Sequence, residues 1–558
     1  MSIEELEIPA PINRLQASGR FRVRSGLIAA PIACLSILFL YSLVRSRRWE
    51  YDHDTPLLQF CGFLMHRYGW IPYRDFFETS MPGTFLFHES VVSLFGTGNL
   101  AFMLVNDCLL GFLLSTSYLW MRHLSRPAAI LFVSWYGAFY LASGPSELLQ
   151  RDWLAILPMA TAFAVVANSR AVLRSTRVGT AFGVGVLIGS CACIKPQLAV
   201  AAVPVVIGLH VLNDRAAPRT RSEAFRDFIF LTAIPASLGF AVVLGALAGW
   251  LADHGALSSF IAMVHDYLPL HIQQTGDHVF LPPAQRLHYL VATALQLNHY
   301  WPMMLAAIVG FVLIDRQFAR QPREQRLFRL AFSMLAIYAI EPVLSGQFWE
   351  YHYDPFEYWL LAILSLLAAP VLINVRYWAI PVLLLLSSIG YSFTRHHVMH
   401  PPLAEHGNVA EMEKAINQYV PAGAAVQPID WTTGAVQALL RTEHPIGTRF
   451  LYDYHFYHHV QTPVIQKLRS EFISELVTSR VPFVLEVRRE YKDVMTGINT
   501  SDHFEELDRV LRERYESVYE GHIFRLLRLK ESRGPGGKLT SAALTGTKVS
   551  ARRAGRAI

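Results

Sequence analysis

The stretch WEYDHDTPLLQFCGFLMHRYGW (Trp49–Trp70), continuing as IPYRDFFETSMPGTFLFHESVVSLFG to Gly96, decides how the chain is read. It follows the first long apolar run directly. It carries acids (Asp52, Asp54, Asp75, Glu78), bases (Arg67, Arg74) and aromatics, yet its apolar residues keep helical spacing. Amphipathic helices of this kind, lying against a membrane, would hold polar groups at the interface. The rest of the chain reads as the scaffold around them.

Composition sets the scaffold's class. Of 558 residues, 53% are hydrophobic and only 16% charged, against about 25% charged in soluble domains. The deficit comes from apolar runs of roughly 15–25 residues, the length that crosses a ~30 Å hydrocarbon core. The chain reads as an α-helical polytopic membrane protein with about eleven spans, near 27–44, 100–121, 127–142, 153–167, 178–194, 196–212, 228–252, 289–314, 327–344, 359–373 and 377–393. The net charge of +6 is no argument for nucleic acid, because most of the excess arginine lies in short loops between apolar runs. The N-terminal residues lack the shape of a signal peptide, so the first run reads as a retained span.

Those arginines orient the chain. With the N-terminus cytoplasmic, four inner loops collect Arg122 and Arg126; Arg170, Arg174 and Arg177; Arg215, Arg219, Arg221 and Arg226; and Arg316, Arg320, Arg323 and Arg326. Arg45, Arg47 and Arg48 fall on the other side, where anionic headgroups would suit them. The outer face then receives the first loop, Ser143–Arg151, Lys195, Asp253–Leu287, Ser345–Glu357 and everything after Phe393. The expected domains are a cytoplasmic segment 1–26, a transmembrane domain 27–393 with a large first outer loop 45–99, an extracytoplasmic α/β domain 394–530, and a disordered tail 531–558. Strands are expected at 424–430, 449–455, 481–487 and 522–529, with helices at 464–480 and 504–515 between them.

Polar residues gather at four places on that outer face. Asp52 and Asp54 read as a general base, as metal ligands or as an ordinary solvated loop, and spacing alone leaves these open. Arg74 and Asp75 share their loop. The segment PSELLQRDWLAIL places Glu147, Gln150, Arg151 and Asp152 at the mouth of an apolar run, where ionisable groups usually face a polar cavity. Lys195, in IKPQ, sits between two apolar runs and suits either a lipid phosphate or simple snorkelling. The segment SGQFWEYHYDPFEYW packs Glu350, Tyr351, His352, Asp354 and Glu357 among aromatics, and Glu341 lies just before it.

His396, His397 and His400, and also His455, His458 and His459, are clustered, but Pro401 and Pro402 favour a loop after the first set and no metal site is assigned. Five cysteines show no paired spacing. P-loop, dinucleotide, GxSxG and HExxH patterns are absent from the sequence, which weakens nucleotide-hydrolysing, Rossmann, lipase and zinc-protease readings.

The set of motifs resembles the GT-C glycosyltransferases, multi-spanning enzymes that use polyprenyl-phosphate-linked sugars, and among them the bacterial protein-mannosyltransferase-like and lipid A-modifying kind. The resemblance rests on YDHD, then GWIPYRDFFETSMPGTF, then SLFG, followed in order by QRDWL, IKPQ and EYHYDP. It implies that Asp52 is the catalytic acid residue. The family often has Asp-Glu at that point, whereas this chain has Asp52-His53 with Asp54 one further on, so the base stays open between Asp52 and Asp54. It implies donor and acceptor contacts from Arg74, Asp75, Glu147, Arg151, Asp152, Lys195, Tyr351 and His352. The expected activity is inverting transfer of a sugar from a polyprenyl phosphate to an envelope acceptor (glycan, lipid or protein) at the inner membrane, with a divalent metal optional and the outer domain shaping the acceptor site. Competing readings are a transporter or channel, a lipid-linked polysaccharide polymerase or ligase, and an assembly protein with an outer receptor domain. Transport sites lie near the bilayer midplane between repeated halves, and no internal symmetry is visible.

Overall fold

The structure is a computed structural model that describes residues 19–51, 54–169, 173–213, 220–275, 279–292, 300–369, 379–399, 406–431, 433–492 and 499–530. Asp52, His53 and His400, the side chains of His396 and His397, and the tail from 531 lie outside the described residues. The chain divides into two compact units. One contains the apolar helices; the other is formed by the C-terminal region from Glu405 together with Asp75–Glu78.

In the first unit, helix α1 (Gly19–Ser46) leads into the first loop, which folds into α2 (Asp54–Tyr68) and α3 (Pro82–Phe95). These are the helices that the apolar spacing of that loop predicts. Pro82 starts α3 where no backbone donor is needed, and Gly96 ends it at φ +83°. Then follow α4 (Asn99–Met121), α5 (Arg126–Ala142), α6 (Arg151–Asn168) and α7 (Arg174–Ile194). Among the described residues, seven helices are long and apolar enough to cross a membrane: Ile28–Ser46, Asn99–Met121, Arg174–Ile194, Pro196–Asn213, Arg221–Asp253, Trp301–Arg320 and Pro322–Ser345. They carry large apolar side chains outward, among them Ile37, Leu238, Leu305 and Ile340. Water would oppose such a surface and hydrocarbon accepts it. The chain is a multi-pass membrane protein.

The apolar runs expected at 127–142, 153–167 and 359–373 land on α5, α6 and the helix Asp354–Leu366. These helices differ from the seven. Every residue from Pro355 to Leu366 is buried, and so is most of α6. Thirteen residues reach only about 20 Å. Their apolar character serves the protein interior, where Trp120, Phe163 and Trp359 meet with ring centroids 4.8–5.7 Å apart. Small residues bring α7 against Arg221–Asp253: a Cβ on Gly185 would lie 1.9 Å from the Ala236 carbonyl oxygen, and one on Gly239 2.1 Å from that of Phe182.

The second unit is a small α/β domain with a four-stranded sheet in the order β1-β2-β4-β3, formed by β1 (Val426–Ile429), β2 (Phe483–Val487), β3 (Tyr515–Glu520) and β4 (Phe524–Leu529). β1 and β2 are parallel; the other pairs are antiparallel. Pro428 is tolerated because β1 is an edge strand with one side free of ladder partners. Three expected strands are present at these positions. The fourth, at 449–455, is not a sheet strand. Phe450 instead forms an isolated parallel bridge with Phe77, and the Phe77 amide donates to the Arg449 carbonyl at 2.7 Å. That segment's strand-like alternation serves Asp75–Glu78, a partner almost 400 residues away in sequence. β3 replaces the end of the helix expected at 504–515, which stops at Arg514.

Candidate functional site

Three chain breaks in the first unit each set down a charged or polar group. At the end of α7, Pro196 pushes Lys195 out of the helical region, to φ −147° and ψ 93°. Lys195 therefore stands at the junction with the turn Pro196–Ala201, with 7% of its surface exposed. At the start of α6, Leu149 takes φ +57°, which reverses the chain into Arg151 and Asp152. That turn is held by hydrogen bonds: Tyr140 Oη accepts from the Leu149 amide at 3.1 Å, and Thr55 Oγ1 donates to the Leu148 carbonyl at 2.8 Å. Before the helix Asp354–Leu366, Phe348 takes φ +54° and a short turn Glu350–Tyr353 presents Tyr351 and His352. A non-glycine residue at positive φ is costly and persists only where its surroundings impose it. Two of these three breaks carry one.

The three meet with the first loop. Lys195 Nζ lies 2.8 Å from Asp152 Oδ2 and 3.1 Å from His352 Nε2. Arg151 Nη2 lies 3.1 Å from Asp54 Oδ2, in the first turn of α2, and its Nη1–H donates to Ser80 Oγ at 2.8 Å. The Tyr351 ring has both cations beside it, Arg151 at 5.9 Å and Lys195 at 5.7 Å, and its hydroxyl is 3.4 Å from Arg151 Nη2. Gly83, just beyond Ser80, lets α3 approach the end of α7: a Cβ there would lie 2.6 Å from the Cys193 carbonyl oxygen. Glu341, one helical turn before Ser345, is buried with neither carboxyl oxygen hydrogen-bonded.

Burial and two cations, each paired with a carboxylate, set the electrostatics. Burial, then the nearby charges of Lys195, Arg151 and His271, holds His352 well below the ordinary histidine range. His271 is lowered to about 3 by burial and then by Arg151 and Lys195, against the pull of Asp54. Burial is the larger cause for both rings, and the two cations add to it. Burial and the Asp54 charge, opposed by Arg151, raise Tyr351 well above its usual range, so its hydroxyl stays protonated and can donate.

The structure thus draws together Asp54, Arg151, Asp152, Lys195, Tyr351 and His352. Glu147 is half-buried and within electrostatic reach of Tyr351. Arg74 is exposed and donates to the His254 carbonyl at 2.6 Å. Its neighbour Asp75 belongs to the second unit. His455, from the clustered histidines, is buried edge-on to Phe77 at 4.8 Å. Ser80, Ser345 and His271 were not singled out by sequence. A serine between PYRDFFET and the helix-starting proline has no signature of its own, and Ser345 gains meaning only from the imidazole beside it.

No protein-family model matches the chain, and no curated protein matches it by sequence. Solved structures match it by fold. ArnT from Cupriavidus metallidurans, bound to undecaprenyl phosphate, aligns with a TM-score of 0.51 at 11% identity, over 91% of this chain and 99% of its own. The oligosaccharyltransferase AglB from Archaeoglobus fulgidus, in complex with an inhibitory peptide and a dolichol-phosphate, aligns over 83% of this chain and 69% of its own, with a TM-score of 0.44 at 10% identity. The arabinofuranosyltransferase AftD from Mycobacteria covers 90% of this chain and 40% of its own, with a TM-score of 0.42 at 10% identity. The likeness to ArnT, close to end to end in both chains, shows that this chain shares the fold of that structure.

Proposed function

We propose that the protein is a membrane glycosyltransferase that moves a sugar from a polyprenyl phosphate to an envelope acceptor, on the extracytoplasmic face of the inner membrane and with inversion. The observation that carries this reading is the pair of cations, half-buried Arg151 and buried Lys195, flanking Tyr351 on a GT-C-like scaffold. An uncharged solute path has no need of two such groups. A phosphate leaving group does, because negative charge grows on it as the glycosidic bond breaks, and fixed cations in a dry site stabilise that charge strongly.

In the proposed reaction the acceptor hydroxyl oxygen attacks the anomeric carbon while the bond from that carbon to the phosphate oxygen breaks. The hydroxyl proton passes to a carboxylate, and the lipid phosphate departs with the bonding pair. Asp54 is engaged by the Arg151 guanidinium, so that carboxylate is already committed to holding the cation. We therefore assign the proton to Asp52 and give Asp54 the role of orienting Arg151. Arg151, Lys195 and the Tyr351 hydroxyl receive the phosphate. A divalent metal is optional in this scheme and is assigned no step.

The test uses purified protein in lipid, with radiolabelled polyprenyl-phosphate sugars and an envelope acceptor fraction. Label moving to the acceptor, lost in Asp52→Asn, supports the reading. Absence of both transfer and polyprenyl-phosphate binding removes it.

A further inference from the structure

His352 sits between Lys195 and Ser345, and the chemistry of these two neighbours determines its proton. An ammonium has hydrogens to donate and no lone pair. Nε2, 3.1 Å from Lys195 Nζ, must therefore be the accepting, unprotonated nitrogen. The proton of the neutral ring then lies on Nδ1, which is 3.4 Å from Ser345 Oγ. Ser345 spends its own hydrogen on the Pro342 carbonyl at 3.0 Å, so its oxygen is available to accept. The run is directional: Lys195 donates to His352, His352 to Ser345, and Ser345 to the backbone of the helix Pro322–Ser345. That helix ends in a left-handed Gly346, where a Cβ would lie 2.3 Å from the guanidinium carbon of Arg286. Arg286 in turn donates to the Ile272 carbonyl at 2.9 Å. Ser345 is thus anchored at a rigid helix end.

On the glycosyltransferase reading above, we infer that His352 is a positioning residue: in its Nδ1–H tautomer, anchored by Ser345, it accepts one hydrogen of the Lys195 ammonium. Asp152 pairs with the same ammonium at 2.8 Å, and a remaining hydrogen is thereby turned toward the departing phosphate. Two fixed partners remove the rotational freedom of an otherwise flexible lysine. The ionisable groups acting on the imidazole are Lys195, just past the end of α7, Arg151 on α6, and His271; Asp152 pairs with Lys195. None of these reverses the tautomer, because Lys195 is the group in hydrogen-bonding range of Nε2.

Two measurements test this on the full-length protein in lipid nanodiscs. The first is the nitrogen spectrum of [15N]histidine-labelled protein, with the His352 signals identified by their loss in His352→Gln. A neutral Nδ1–H pattern between pH 6 and 8 is expected; an Nε2–H or doubly protonated ring overturns the inference. The second compares His352→Asn, which can place an amide only near the Nδ1 position, with His352→Gln, whose carbonyl reaches the Nε2 position. His352→Asn should lower kcat about ten- to a hundredfold, the usual weight of a hydrogen bond to a charged group, with donor KM nearly unchanged, and His352→Gln should recover most of it. Equal losses of kcat in His352→Asn and His352→Gln overturn the inference. If wild type transfers no sugar, the same variants are read by binding of undecaprenyl phosphate against inorganic phosphate. Weaker binding of undecaprenyl phosphate in His352→Asn but not in His352→Gln then keeps the positioning role and removes the transferase reading. Equal binding by all variants overturns the positioning role.

Discussion

Lys195 and Asp152 form a buried ion pair at 2.8 Å, with the carboxylate fully enclosed. They lie more than 40 residues apart and are brought together by two helix ends, the last turn of α7 and the first turn of α6. The acid also sits where a helix N-terminus favours negative charge. This pair is the point at which stability and the proposed chemistry meet.

Removing one member should unfold more than it disables. Lys195→Met leaves Asp152 buried without its cation, and such breaks cost about 3–5 kcal/mol. The double variant Lys195→Met/Asp152→Leu should recover a large part of that loss while remaining inactive. Denaturant or thermal unfolding in detergent checks the stability half, and the transfer assay checks the other.

Arg151 should not tolerate lysine. Its guanidinium reaches Asp54, Ser80 and Tyr351 from one planar head, and an ammonium cannot span three such partners. Arg151→Lys is expected to lower transfer by roughly a hundredfold or more, the scale seen when one fixed donor to developing charge is lost, with a smaller change in melting temperature. Near-wild-type kcat in this variant would remove Arg151 from the phosphate site.

Acid should loosen the first unit. His88 and His271 are each lowered to about 3, His88 by burial and then by Arg151, and His352 is lowered as well. Between those values and the ordinary 6.5, the unfolded chain binds protons that the folded chain refuses, so stability rises with pH across that window and is lost as pH falls below about 6.5. Each group adds a slope of up to about 1.4 kcal/mol per pH unit. Melting temperatures from pH 8 to pH 5 should fall, and His88→Phe should flatten the slope; a slope unchanged by that substitution would show that His88 does not contribute.

Gly185→Leu should separate α7 from the helix Arg221–Asp253. The first added carbon already meets the Ala236 carbonyl, and overpacking of this kind costs about 1–3 kcal/mol or more. Gly179, whose Cβ would meet nothing within 4 Å, is the matched control, and Gly179→Leu should fold normally. Monodispersity and melting temperature in detergent compare the two.

Much of this was legible in the sequence because it depends on local pattern. Apolar run length revealed the membrane helices, helical spacing revealed α2 and α3, and Pro196 marked the break that frees Lys195. The same patterns left open what surroundings decide. An apolar helix reads alike whether it faces lipid or protein, so α6 and the helix Asp354–Leu366 look in sequence like the seven longer ones although they are enclosed. The strand-like 449–455 alternates because it bridges Phe77, which no local window contains.

By itself, then, the sequence determined the class of the protein, its helices, three of its strands and the identity of most of the charged groups, because hydrophobicity and backbone sterics act over a few residues. Only the tertiary structure decided their partners. Arg151 with Asp54 and Ser80, and Lys195 with Asp152 and His352, follow from side chains between about 40 and 160 positions apart converging to about 3 Å. Charge pairing and hydrogen bonding act at that range and carry no trace in sequence spacing.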